Sequence, residues 1–414
     1  MRYVTEALLA IGLVSSSALT TVAEGMREAV LREAILANGF LPANATHIGQ
    51  PEDLVEIGKL LFESRLLSFD RGTACASCHV DRFGSADGIV NAIGTEGEGL
   101  GFERVMKGGD IVPRNTLPFW GRGGVGFDTF FWDGKVDASS GVVLSQFGDR
   151  APSIDPLVVA VHLPPAEIGE MVIDRWETQS LQAEDVETAT ALYEMLTARI
   201  RDDPIMGPNL AAARQVELED IQFLDVTEAI ASFIRFNYRV GQTRLHDFVY
   251  NSGELSNEER DGGLLFYGSG GCTTCHSGPY FSDLKYYVVP FVQAGFGRNG
   301  FGVDYGRFNV TLREADRYAI RTPPLLNVTR TAPYGHSGSI FDLGDAIRGH
   351  VDPLRYVDPE SMTENDRNEL YQRLRLWAAS PLNGIVMSDD DVSGLKAFLG
   401  TLTYDSAMQV KIVD

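Results

Sequence analysis

The sequence predicts a mainly α protein built from two similar helical units, and three observations carry that reading. Apolar residues recur at helical spacing in "LQAEDVETATALYEMLTARIRDD", "LEDIQFLDVTEAIASFIRFNYRV" and "DVSGLKAFLGTL". Alternating apolar and polar runs are scarce. The phrase "GKLLF", Gly58 to Phe62, returns as "GGLLF", Gly262 to Phe266, each time shortly before Cys-x-x-Cys-His, which is an internal repeat. At 414 residues the chain also exceeds one ordinary hydrophobic core. The repeat divides it into a first unit over residues 24–250 and a second over 251–414, joined near the polar, glycine-bearing "NSGELSNEERDGG". The 43 Gly and 18 Pro point to long ordered loops between the helices.

Before the first unit, "MRYVTEALLAIGLVSSSALTTVAEG" carries an early Arg, an apolar run from Ala7 to Val14 and small residues up to Ala23. Residues 1–23 therefore read as a secretory signal cleaved near Ala23, too short to span a membrane. No other stretch reaches the roughly 18 apolar residues a spanning helix needs, so the expectation is an exported, periplasmic protein with no membrane anchor. The net charge of −22 repels nucleic acid and favours a basic protein partner through long-range steering.

The four cysteines, Cys75, Cys78, Cys272 and Cys275, are all used in two Cys-x-x-Cys pairs, and each pair is followed at once by a histidine, His79 or His276. Two disulfides are the default for a secreted chain, but the spacing and the paired histidines argue for another chemistry. Thiols three positions apart on a helical turn can form thioethers to the two vinyl groups of one haem, and the next residue then offers its imidazole to the iron. A zinc ribbon separates its pairs by roughly 15–20 residues, far less than here, and thioredoxin-like motifs need βαβ surroundings. Each unit is thus expected to be cytochrome-c-like, with one covalently bound c-type haem and His79 and His276 as proximal ligands. The Leu-Leu-Phe faces can lie against the haem edges.

Taken together, the motifs resemble the bacterial di-haem cytochrome c peroxidases and their MauG-like relatives over most of the chain. "VEIGKLLFESRLLSFDRGTACASCH", "RNTLPFW", "FFWDGKV" and "PPAEIGEM" follow in the family's order. So do "GCTTCHSGPYFSD", "DYGR", "RTPPLLNVTRTAPYGHSG" and "LGDAIRGHVDP". The resemblance implies a peroxidatic first haem and an electron-transfer second haem. It matches Trp132 to a tryptophan between the haems, Glu170 to a distal acid that moves a proton between the peroxide oxygens, and Pro164 to a proline over the same face. It matches Asn115, Thr331 and Pro333 to positions that hold a calcium ion. His350 falls where the family places the second ligand of the second haem, which is Met or Tyr in its two branches.

The departures matter as much. Relatives that need reductive activation carry a His in the loop after the first haem motif; here residues 80–131 hold no His and one Met, Met106. Ala160 stands where a glutamine is usual, and nearby His162 is a candidate either to replace it or to reach the iron, against a structural role. His336 is expected to be structural, and His47 and His246 ordinary. These departures favour a MauG-like peroxidase that uses hydrogen peroxide and oxidises a side chain on a partner protein or an external donor. The competing expectations are a conventional cytochrome c peroxidase fed by a small cytochrome or cupredoxin, and a non-catalytic electron carrier.

Overall fold

The computed structural model describes residues 22–173, 186–355 and 357–404. The expected signal segment lies outside the described residues except for its last two positions, which open the first helix. Helices dominate: α1 (22–37), α2 (Glu52–Glu63), α3 (Pro156–His162), α4 (Val186–Asp202), α5 (Met206–Arg214), α6 (Phe223–Asn237), α7 (Arg244–Tyr250), α8 (Asn257–Phe266), α9 (Leu343–Val351), α10 (Glu364–Trp377) and α11 (Asp389–Gly400). The described strands form four antiparallel two-residue pairs: Ala92–Ile93 with Ile111–Val112, Thr129–Phe130 with Val136–Asp137, Tyr286–Tyr287 with Ile320–Arg321, and Phe296–Gly297 with Gly300–Phe301. Among the described residues no helix is long and apolar enough to cross a membrane.

The sequence repeat is a packing repeat. Helix α2 lies on α6, and α8 lies on α11. At each crossing the glycine that opens the repeated phrase meets backbone: a Cβ on Gly58 would stand 2.0 Å from the Ala229 carbonyl oxygen, and one on Gly262 would stand 1.8 Å from that of Gly394. Both helix pairs therefore approach closely enough that only hydrogen fits. The phenylalanine that ends each phrase, Phe62 or Phe266, is buried and faces a large cavity in its own half.

Two features depart from the sequence reading. The stretch read as a linker is largely helix: Ser256 accepts from the Glu259 N–H at 3.2 Å while Glu259 accepts from the Ser256 N–H at 2.8 Å, a reciprocal cap that starts α8 at Asn257. Only residues 251–256 connect α7 to it. Helix α1, counted with the first unit, packs on the second, where Glu28 pairs with Arg260 at 2.9 Å, Arg27 pairs with Asp261 and Leu31 abuts Gly263.

Placing a methyl group at either crossing should cost roughly 1–3 kcal/mol of overpacking strain. Gly58→Ala and Gly262→Ala are each expected to lower the melting temperature by several degrees, at about 2–4 °C per kcal/mol. Thermal unfolding followed by circular dichroism checks this, and unchanged melting would mean that the helix pairs are not in such close contact.

Candidate functional site

Each Cys-x-x-Cys pair sits on one short helical turn, Cys75–Cys78 in the first half and Cys272–Thr274 in the second, with the following histidine closing the turn. All four thiols are free and line a cavity. Burial pushes Cys75, Cys78 and Cys272 up to about 12 and Cys275 up to about 11, so the free thiols are neutral. The two cavities enclose about 1440 and 1430 Å³ of empty space, mouths included. The two are nearly equal, as two copies of one large cofactor require.

The histidines are set up as metal ligands. His79 holds its Nδ1 2.9 Å from the Ser85 carbonyl oxygen, His276 holds its own 2.8 Å from that of Phe281, and His350 holds its own 2.7 Å from that of Ala346. Burial lowers all three, His79 to about 3 and His276 to about 4, so the rings are neutral. A neutral ring that donates Nδ1–H to a carbonyl leaves Nε2 as a lone-pair donor. Phe119 stacks on His79 with ring centres 3.8 Å apart and 20° between the planes, which fixes the ring's orientation. In the second cavity the ring centres of His276 and His350 are 6.5 Å apart. Two metal–nitrogen bonds of about 2 Å each, together with the ring radii, account for that separation. The residues present fit a porphyrin iron in each cavity.

On the first cavity's wall His79 is the only histidine among the described residues. His162 is buried but turned away, with Nδ1 2.9 Å from the Val158 carbonyl oxygen and its ring edge-on to Phe147, Tyr193 and Phe223. Ala160, Pro164 and Met171 do line the cavity, whereas Met106 is exposed. His336 lines the second cavity and bonds Gln293 through Nε2 at 2.9 Å; His47 bonds the Val240 carbonyl oxygen at 2.8 Å, and His246 caps α7 through Thr243.

Glu170 lines the first cavity on a turn pressed against Gly94, where a Cβ would stand 1.8 Å from the Gly169 oxygen. Burial, and then the negative charge of Glu167, push Glu170 up to about 7. Burial also raises Glu167, but the cations of Lys135 at 2.8 Å and Arg298 at 3.0 Å outweigh it and hold Glu167 at about 2. Two carboxyls three residues apart thus differ in charge at neutral pH, which marks one as a proton carrier and the other as a fixed anion. Sequence reasoning missed the Glu167, Lys135 and Arg298 cluster because Arg298 arrives from the other half of the chain.

Among the described residues Trp132 alone lines both cavities. Its Nε1–H donates to the Asn115 carbonyl oxygen at 2.8 Å, and its own carbonyl accepts from the Arg321 N–H at 2.8 Å. Asn115 donates through Nδ2 to the Pro333 carbonyl oxygen at 2.7 Å, while its buried Oδ1 has no partner. Turning that amide over would aim two oxygens at one point, which suits a hard cation. Thr331 is buried beside them with its hydroxyl donated to the Val328 carbonyl oxygen at 3.2 Å.

Comparison with known proteins agrees with this geometry. The family model for di-haem cytochrome c peroxidase matches residues 52–254. The cytochrome c551 peroxidase of Pseudomonas aeruginosa is 24% identical over 310 residues, covering 74% of this chain and 75% of that protein. The methylamine utilization protein MauG of Methylorubrum extorquens is 26% identical over 340 residues, covering 79% and 78%. A crystal structure of a MauG-like protein associated with microbial copper homeostasis shares the fold, with a TM-score of 0.61 at 21% identity over 88% of this chain and 92% of that one. The chain belongs to the di-haem cytochrome c peroxidase family, which includes MauG, and is a haem-dependent peroxidase whose two Cys-x-x-Cys motifs support two c-type haems.

Proposed function

We propose that this peroxidase works in the MauG-like manner: the first haem is open to hydrogen peroxide at rest, the second is closed by His276 and His350, and the oxidised species is a side chain on a partner protein. The observation that supports this reading is the histidine placement, with two facing rings in the second cavity and His79 without a counterpart in the first. Bound haem supplies iron that takes up peroxide and stores oxidising equivalents. His79 presents a neutral Nε2 to the first iron. Glu170 carries a proton from one peroxide oxygen to the other, from a turn that Gly94 lets approach and next to an anion that keeps it near half-ionised. Pro164 closes the same face against water. Trp132 serves both haems from their shared wall. Asn115, with Thr331 and Pro333, holds calcium between the halves. The protein acts in the periplasm.

A second reading, the conventional peroxidase that draws electrons from a small basic donor, is favoured by the net charge of −22. Mixing the fully oxidised protein with hydrogen peroxide in a stopped-flow spectrometer separates the two. The first reading expects immediate reaction without prior reduction, and a requirement for one added electron contradicts it. Glu170 must be ionised to accept the first proton, so the reaction is expected to speed up as pH rises through about 7. Glu170→Gln should slow it by about 10²–10⁴ and abolish that pH step. Survival of the step in the variant would assign it to another group.

The second ligand is tested separately. Replacing one imidazole by a thioether raises the potential of a haem, so His350→Met should raise the midpoint potential of the second haem in a spectroelectrochemical titration. An unchanged potential would mean that His350 does not bind the iron.

A further inference from the structure

Two arginines stand on the cavity walls with an incomplete set of partners. Arg122 lines the first cavity and Arg321 the second; both are buried, at 6% and 0% exposure. Neither forms an ion pair among the described residues. Arg122 donates Nε–H to the Pro118 carbonyl oxygen at 3.2 Å, and Arg321 donates Nε–H to that of Phe131 at 2.8 Å and Nη1–H to that of Thr322 at 3.4 Å. In each guanidinium Nη2 is buried without a partner.

Arg122 is pulled well below the ordinary arginine range by burial and then by the charge of Arg321. Burial similarly lowers Arg321 to about 10, against the opposing pull of Tyr286 and of Asp133, a carboxylate bonded to Arg114. Elsewhere in the same interface the chain does compensate a buried arginine. Arg114 makes a two-pronged pair with Asp304, Nε to Oδ2 at 2.7 Å and Nη2 to Oδ1 at 2.9 Å, and a third bond to Asp133 at 2.6 Å. A buried cation with no anion costs several kcal/mol. Among the described residues neither Arg122 nor Arg321 has a carboxylate paired with it, Asp133 being bonded to Arg114, and in a chain with 57 acidic residues this implies anions from outside the polypeptide.

We propose that Arg122 and Arg321 bind carboxylates of the haems themselves: a propionate of the first haem pairs with Arg122 and a propionate of the second pairs with Arg321. A planar guanidinium and a carboxylate match in a fork-to-fork geometry, and each haem carries two carboxylates that must go somewhere in a mostly apolar cavity. The pairing neutralises both arginines at once. It also ties the two haems together electrostatically, because the field at each arginine depends on whether its neighbour is paired. Arg321 joins this to the path between the haems, since its backbone N–H holds the Trp132 carbonyl at 2.8 Å.

The proposal rests on the two-haem reading, so the test begins by counting covalent haem in the purified protein. Fewer than two per chain fails that reading and this assignment with it. With two present, the midpoint potentials of both haems are measured in Arg122→Gln and Arg321→Gln. Loss of a cation beside a haem disfavours its reduced state, and the expected result is a tenfold or larger fall in the reduced-to-oxidised ratio at fixed potential, 59 mV for one electron. It should fall on the first haem in Arg122→Gln and on the second in Arg321→Gln, with Arg→Lys at either position restoring most of it. The wild-type protein gives an independent reading if a variant fails to fold. Infrared spectra with ¹³C-labelled propionates should show at least one ionised carboxylate per haem at pH 4.5, where an unpaired buried carboxyl is protonated. Protonation of all four overturns the proposal. So does a wild-type potential that follows chloride or phosphate concentration while the labelled carboxylate bands stay unchanged in the variants, since that identifies a free anion as the occupant.

Discussion

The arrangement depends on one indole that serves as a wall for two cavities. Trp132 is held from both halves of the chain, through its ring N–H to the Asn115 carbonyl and through its carbonyl from the Arg321 N–H. Asn115 is in turn fixed to the second half, donating its backbone N–H to the His336 carbonyl oxygen at 2.7 Å. Beside it Arg114 joins Asp133, the residue next to Trp132, to Asp304 in a buried triad. Removing one member of such a set leaves a buried charge alone, at about 3–5 kcal/mol. That cost makes the spacing between the cavities a rigid property of the fold rather than a consequence of loop position.

Charge is distributed in an unusual sense around this wall. The chain is strongly acidic, yet the walls of the two cavities gather Arg114, Arg122, Lys135, Arg298 and Arg321. Some of these cations are answered by carboxylates and hold them ionised, as Lys135 and Arg298 do for Glu167. That fixed anion then keeps its neighbour Glu170 a weak acid. A proton carrier near neutrality is thus built from burial and one adjacent charge, with no special chemistry in Glu170 itself.

Parts of this were legible in the sequence. The Cys-x-x-Cys-His motifs and the repeated Leu-Leu-Phe phrase have fixed local spacing, and spacing survives without knowledge of the fold. Glu170 was different: by itself it reads as a solvated loop residue, and only the order of neighbouring motifs promoted it. His162 shows the converse, since proximity in sequence suggests a ligand while its ring packs among Phe147, Tyr193 and Phe223, behind the residues that line the cavity. The polar, glycine-bearing stretch at the junction reads as a linker, whereas Gly262 and Gly263 sit inside a capped helix where backbone passes close to backbone or to the Leu31 and Phe398 side chains. The Arg114 triad and the cation pair on Glu167 join residues more than 100 positions apart, and no local pattern announces such contacts.

The histidines carry the central claim, because a ring that gives Nδ1–H to a carbonyl leaves Nε2 as a lone-pair donor, and among the described residues only the second cavity has two such rings facing each other. A low-temperature electron paramagnetic resonance spectrum of the fully oxidised protein reads this directly. The account predicts one high-spin ferric haem, from a first iron with His79 alone, together with one low-spin haem from the His276 and His350 pair. Two low-spin haems would contradict it, since the first iron would then be closed at rest.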